Sequence, residues 1–119
     1  MLLEAIIDIS NEIYEILGAG HLETIYHRAM ETEFRIHGIK YSSEVATPIY
    51  YKDTYIGHGR ADIVIPGILV IELKATATSL RTPDKEKLKS YMTSLKIDDG
   101  IIINFPQTEG TKKCQIDFL

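Results

Sequence analysis

The chain has a single cysteine, Cys114, in 119 residues. That excludes an intramolecular disulfide, and a lone thiol fits a reducing, intracellular setting. It also lacks any Cys/His cluster. His21, His27, His37 and His58 are scattered, which argues against a zinc site and reads each of them as a surface or loop residue rather than a ligand. Met1-Leu2-Leu3-Glu4 has no basic stretch, and Glu4, Asp8 and Glu12 interrupt the apolar positions that follow, so neither a signal peptide nor a membrane span is expected. No repeat, low-complexity tract or linker is visible. Positive charge is short as well: the net charge of −4 argues mildly against a dedicated nucleic-acid binder, because phosphates need local cations. Carboxylates that hold metal ions, however, count as negative in the sequence and not in the loaded site.

What remains is ordinary for a globular protein: 45% hydrophobic and 25% charged residues, long enough for one domain over residues 1–119 with its own core. Residues 2–17 read as an amphipathic helix, with Leu2, Leu3, Ile6, Ile9, Ile13, Ile16 and Leu17 on one face and Glu4, Asp8, Asn11, Glu12 and Glu15 on the other. Gly18-Ala19-Gly20 stops it. A second helix is predicted from about His21 to His37, with Leu22, Ile25, Tyr26, Ala29 and Ile36 inward and Gly38 as its stop. Strands follow over 44–51, 54–65 and 68–75. Thr82-Pro83 starts a third helix, which runs to about Lys96 on Leu88, Tyr91, Met92 and Leu95. A buried strand over 101–105 and an edge strand over 112–118 complete the order ααβββαββ, an α/β sandwich with helices packed on a mixed sheet.

Two apolar runs, Ala61 to Ile65 and Ile68 to Ala75, carry charges inside them: Asp62, Glu72 and Lys74. Such charges are costly to bury unless they are paired or bind a metal. Pro66-Gly67 between the runs marks an antiparallel hairpin. With a three-residue loop, Val64 faces Val70, Asp62 faces Glu72 and Arg60 faces Lys74; a two-residue loop would separate the two carboxylates onto different faces. The alternation of both strands favours the first register. Opposed carboxylates repel unless a cation lies between them, so the pattern suggests a divalent metal site with Lys74 at its edge. The competing reading is a salt-bridge ladder in which Asp62 and Glu72 pair with Arg60 and Lys74. Hard oxygen ligands suit Mg²⁺ or Mn²⁺.

Glu23, at the start of the second helix, is either a first-turn acid favoured by the helix dipole or a third metal-facing carboxylate. Lys85, Lys89 and Lys96, with Lys87 and Arg81 nearby, form a stripe on the third helix. Such a stripe is either a solvated face or a positive wall beside a phosphate backbone. Tyr50, Tyr51 and Tyr55 read as packing residues rather than base-stacking platforms.

Gly20-His21-Leu22-Glu23-Thr24-Ile25-Tyr26 reads GxxExxY. Together with Asp62, Glu72-Leu73-Lys74 and Ile103-Asn104-Phe105, it makes the chain resemble the GxxExxY protein family, itself similar to the PD-(D/E)XK nuclease superfamily, over roughly residues 5–106. The resemblance implies a nuclease-like (restriction-endonuclease-like) core sheet flanked by helices. It implies Glu23, Asp62, Glu72 and the Leu73 carbonyl as Mg²⁺ (or Mn²⁺) ligands. Asp62, Glu72 and Lys74 would be the catalytic set, with Lys74 positioning or activating the attacking water. Lys87 stands where the family pattern has a glutamine, as does Glu44. Lys87, Lys85, Arg60 and Tyr91 are the candidate nucleic-acid contacts. The function implied is metal-dependent hydrolysis of phosphodiester bonds in DNA. The alternative is a catalytically silent module that binds nucleic acid or a protein partner, and a core this small leaves room for a homodimer or a protein partner in gripping DNA.

Overall fold

A computed structural model describes residues 2–77 and 82–119; Arg81 lies outside them. Helices α1 (Leu2–Leu17) and α2 (Glu23–Ile36) precede strands β1 (Ser42–Tyr51), β2 (Thr54–Ile65) and β3 (Leu69–Lys74). Helix α3 (Thr82–Leu95) then leads to β4 (Gly100–Asn104) and β5 (Gln115–Phe118). This is the ααβββαββ order, with the ends of α1 and β2 as read from the sequence and the others displaced by no more than three residues. The five strands form one sheet in the order β1-β2-β3-β4-β5. Among the described residues only β3 and β4 run parallel; the other pairs are antiparallel. The parallel pair needs a crossover, and α3 supplies it. Among the described residues no helix is long and apolar enough to cross a membrane.

Alternation along the central strands divides the core in two. Ile63, Ile65, Ile71, Leu73, Ile101 and Ile103 face α1 and α2, while Val64, Val70 and Ile102 face α3 through Leu88 and Tyr91. Because both faces are covered, β3 and β4 are nearly continuous apolar runs.

Helix α1 buries most of the face expected, with Ile16 the exception, whereas α2 buries a partly different one. In α1 the buried set is Ile6, Ile9, Ser10, Ile13 and Tyr14, while Ile16 is 73% exposed. Ser10 is tolerated inside because its hydroxyl donates to the Ile6 carbonyl at 2.8 Å. In α2 the buried stripe is Tyr26, Met30 and Phe34, spaced by four as a helix face requires. Leu22, Ile25 and Ile36, expected inside, are exposed. The large aromatic and thioether side chains fill the space between α2 and the sheet, and the aliphatic ones are left to the rim. Tyr50, Tyr51 and Tyr55 are also exposed, so they are not core packing residues. They lie at the far end of the long β1–β2 hairpin, which extends past its pairing with β3.

Candidate active site

The β2–β3 pairing has the register with the three-residue loop: Ile65 lies opposite Leu69, Val64 opposite Val70 and Ile63 opposite Ile71. The ladder ends there. At the next position the strands no longer exchange backbone bonds, and side chains take over. The Asp62 backbone N–H donates to Glu72 Oε1 at 2.8 Å, and the Leu73 N–H donates to Asp62 Oδ2 at 2.8 Å. Each carboxylate thus satisfies a backbone donor of the opposite strand that a regular ladder would have paired. The alternation of β2 is interrupted at the same point: Ala61 and Val64, three residues apart, both belong to the α3-side core. Across the strand, Glu44 takes a left-handed φ of 51°. The acidic pair therefore occupies a splayed gap between two strands, not two rungs of a continuous sheet.

The salt-bridge ladder does not form. Arg60 pairs with Ala46 of β1, and its guanidinium meets Glu44 at 3.7 Å. Lys74 reaches Asp84 of α3 at 3.4 Å. Among the described residues no ion pair reaches Asp62, Glu72 or Glu23. Arg60 consequently does not face Lys74, because β2 has left β3 by that point and pairs only with β1.

The acids show the electrostatic strain expected of such a gap. Burial, reinforced by the negative charge of Asp62, pushes the Glu72 carboxyl up to about 8, against the bond from the Asp62 N–H and the positive charge of Lys74. Burial also raises Asp62, opposed by the Leu73 N–H bond, His27 and Lys74. Glu23 is raised by burial and then by Asp62, and is opposed by Lys74, His27 and Lys87. The three acids and Lys74 thus feel one another, although they come from α2, β2 and β3. They are not closed around a point: among the described residues no three His, Cys, Asp or Glu side chains are gathered tightly enough to hold an ion.

Glu23 owes its position to the glycine and tyrosine that flank it. Tyr26 is fully buried, stacks on Phe105 with ring centroids 4.4 Å apart, and donates its hydroxyl to the Gly18 carbonyl at 2.6 Å. Gln107 ties the two ends of the motif together. Its Oε1 accepts the Gly20 N–H at 2.7 Å, and its Nε2 donates to Tyr26 Oη at 3.1 Å. Gly20 turns with φ of 102°, a conformation that suits glycine. Asn104, the buried polar residue of β4, holds the chain leaving β3: its Oδ1 accepts the Thr76 N–H at 3.0 Å, and its Nδ2 donates to the Thr76 carbonyl at 3.1 Å. The Lys74 carbonyl accepts the Phe105 N–H at 2.8 Å, so the backbone around Lys74 is anchored to the β4 side.

The expected nucleic-acid contacts diverge in placement. Lys87 is exposed and close enough to lower the Glu23 carboxyl. Lys85 pairs with Asp117 at 3.5 Å, and Arg60 with Glu44. Tyr91 is buried against Gly59, where it locks α3 to β2; it is a core residue rather than a surface contact. His27, read from the sequence as a surface residue, sits instead beside the acids. Its Nε2 lies 2.7 Å from Ser43 Oγ, and Ser43 Oγ is 3.5 Å from the Asp62 carbonyl. The signal was its place one helical turn after Glu23. Thr24, His27, Arg28, Glu31, Ser43 and Glu44 line a cavity of about 270 Å³ there.

The comparisons agree with this architecture. No curated protein sequence matches the chain. Among solved structures, the crystal structure of SSO0001 is similar at a TM-score of 0.58 and 15% identity, over 99% of this chain and 76% of that one; at that identity the likeness shows the fold alone. The family model described as the PD-(D/E)XK nuclease superfamily matches residues 1–115, a span that includes every strand but β5 in full and each acid of the gap. The chain belongs to the PD-(D/E)XK nuclease superfamily.

Proposed function

We propose that the protein is a Mg²⁺- or Mn²⁺-dependent nuclease that hydrolyses phosphodiester bonds in DNA. One observation carries the reading: among the described residues no ion pair reaches Asp62 or Glu72 in their shared strand gap, and burial followed by the charge of Asp62 pushes Glu72 up to about 8. A divalent cation would reverse that penalty. The donor set fits it, since oxygen ligands of this kind suit Mg²⁺ and Mn²⁺. Asp62 and Glu72 would hold the ion, with the Leu73 carbonyl and Glu23 completing the protein donors. A bound divalent ion polarises the phosphoryl oxygen and lowers the pKa of its water.

The chain's own residues have distinct tasks. The Leu73 and Asp62 N–H groups fix one oxygen of each carboxylate. Lys74, anchored near Asp84, is the cation available to position the attacking water and to stabilise charge developing on the phosphate. Lys87, exposed on α3, would meet a neighbouring phosphate.

The test is cleavage of single- and double-stranded DNA with Mg²⁺ or Mn²⁺, run beside Asp62→Ala and Lys74→Ala. Both variants should lose activity by at least about a hundredfold. Cleavage that survives both substitutions would sink the assignment.

A further inference from the structure

Lys74 has a partner whose task the catalytic reading leaves unassigned. Its Nζ lies 3.4 Å from Asp84 Oδ1, with the two side chains 31% and 27% exposed. Taken alone, Asp84 is a first-turn acid of α3, favoured there by the helix dipole. Its position argues for more. Asp84, Leu88 and Tyr91 follow one another at spacings of four and three, which sets them on one stripe of the helix. Leu88 and Tyr91 are buried in the core with Val64, Val70 and Ile102 of the sheet, so Asp84 continues that inward stripe toward the end of β3. Along β3, Val70 faces α3, and alternation brings Glu72 and Lys74 to the same side. Asp84 and Glu72 are therefore rival partners for one ammonium.

Lys74 could reach either. It stands two residues from Glu72 on a flexible four-carbon stem, and its positive charge already lowers the carboxyls of Glu72, Asp62 and Glu23. Among the described residues, however, its ion pair is with Asp84 and with none of those three. An ammonium closed onto Asp62 or Glu72 would neutralise the acids and occupy the place of a cation between them. We propose that Asp84 is a positioning residue that holds Lys74 on the α3 side and so keeps the Asp62–Glu72 gap open to a divalent metal ion. An ammonium has three donors, so the pair with Asp84 leaves others for the attacking water or the phosphate. The proposal rests on the metal-dependent reading of the gap, but it is tested by metal binding and not by cleavage.

The experiment is calorimetric titration of the full chain with Mn²⁺, for the wild type, Asp84→Ala, Lys74→Met and the double variant. Asp84→Ala should weaken Mn²⁺ binding about tenfold, because the released ammonium competes for the acids. Lys74→Met has no ammonium to release and should bind Mn²⁺ at least as tightly as the wild type. In that background Asp84→Ala should have no further effect, the signature of two residues that act through each other. Asp84→Glu, which keeps a carboxylate for Lys74, should bind as the wild type does. An equal loss from Asp84→Ala in both backgrounds would overturn the proposal, since Asp84 would then act by its charge alone or by supporting the start of α3. Wild-type affinity in Asp84→Ala would overturn it too, while leaving the metal site standing. A wild type that binds no Mn²⁺ would remove the metal reading and the proposal together.

Discussion

Glu72→Gln in the metal-free protein should raise its stability while it removes function. The amide keeps an oxygen to accept the Asp62 N–H but cannot ionise. In the wild type the Glu72 pKa lies at about 8, above the ordinary 4.5. A raised folded-state pKa means that the carboxyl's contribution to stability is fully present below about pH 4.5 and is lost as pH rises through about 8. At pH 7 the unfolded chain gains about 3 kcal/mol by ionising a carboxyl that the fold keeps protonated. The glutamine variant escapes that loss and should melt roughly 10 °C higher at pH 7, with no advantage near pH 4. The assay is scanning calorimetry of both proteins in EDTA between about pH 4 and 9. Added Mg²⁺ should then raise the wild-type Tm and leave the variant's nearly unchanged. Parallel Tm–pH curves for the two proteins would refute the claim that burial and Asp62 strain Glu72.

Three further outcomes follow from the packing. Gly59→Ala puts a Cβ 2.5 Å from the Tyr91 ring and 2.8 Å from Thr47 Oγ1, so it should cost about 1–3 kcal/mol, read as a lower urea midpoint. Tyr26→Phe removes the hydroxyl held by the Gly18 carbonyl and should lose about 1 kcal/mol; because it also loosens the start of α2, DNA cleavage should fall by more than the stability change explains. Asn104→Leu removes the buried amide's bonds to the Thr76 backbone and to Gln115, and should cost about 1–3 kcal/mol in chemical denaturation.

The element order was legible because the periods are clear. Acid-interrupted apolar positions mark α1, and unbroken apolar runs mark β3 and β4. The hairpin register was legible too, since only a three-residue loop keeps both alternations in phase. The inward face of α1 was legible apart from Ile16, but that of α2 only in part. In α2 the moderate-sized aliphatics Leu22, Ile25 and Ile36 looked as apolar as Tyr26, Met30 and Phe34, and only the volume available under the sheet separates them. The exposed tyrosines were misread for a related reason: a strand pattern cannot say how far a hairpin runs past its neighbours.

The residues alone determined the chemistry on offer: carboxylates at 62 and 72, a lysine at 74, and a GxxExxY turn that brings an acid to a helix start. Those follow from side-chain type and spacing, which the chain carries at every stage of folding. Tertiary structure decided whether the charges pair. β2 leaves β3 after Ile63, so Arg60 goes to Glu44 and Lys74 to Asp84, and the two acids are left to accept backbone N–H bonds across the gap, Glu72 from Asp62 and Asp62 from Leu73. Partner choice of this kind depends on where strands part, and that is set by the packing of the whole sheet against α2 and α3.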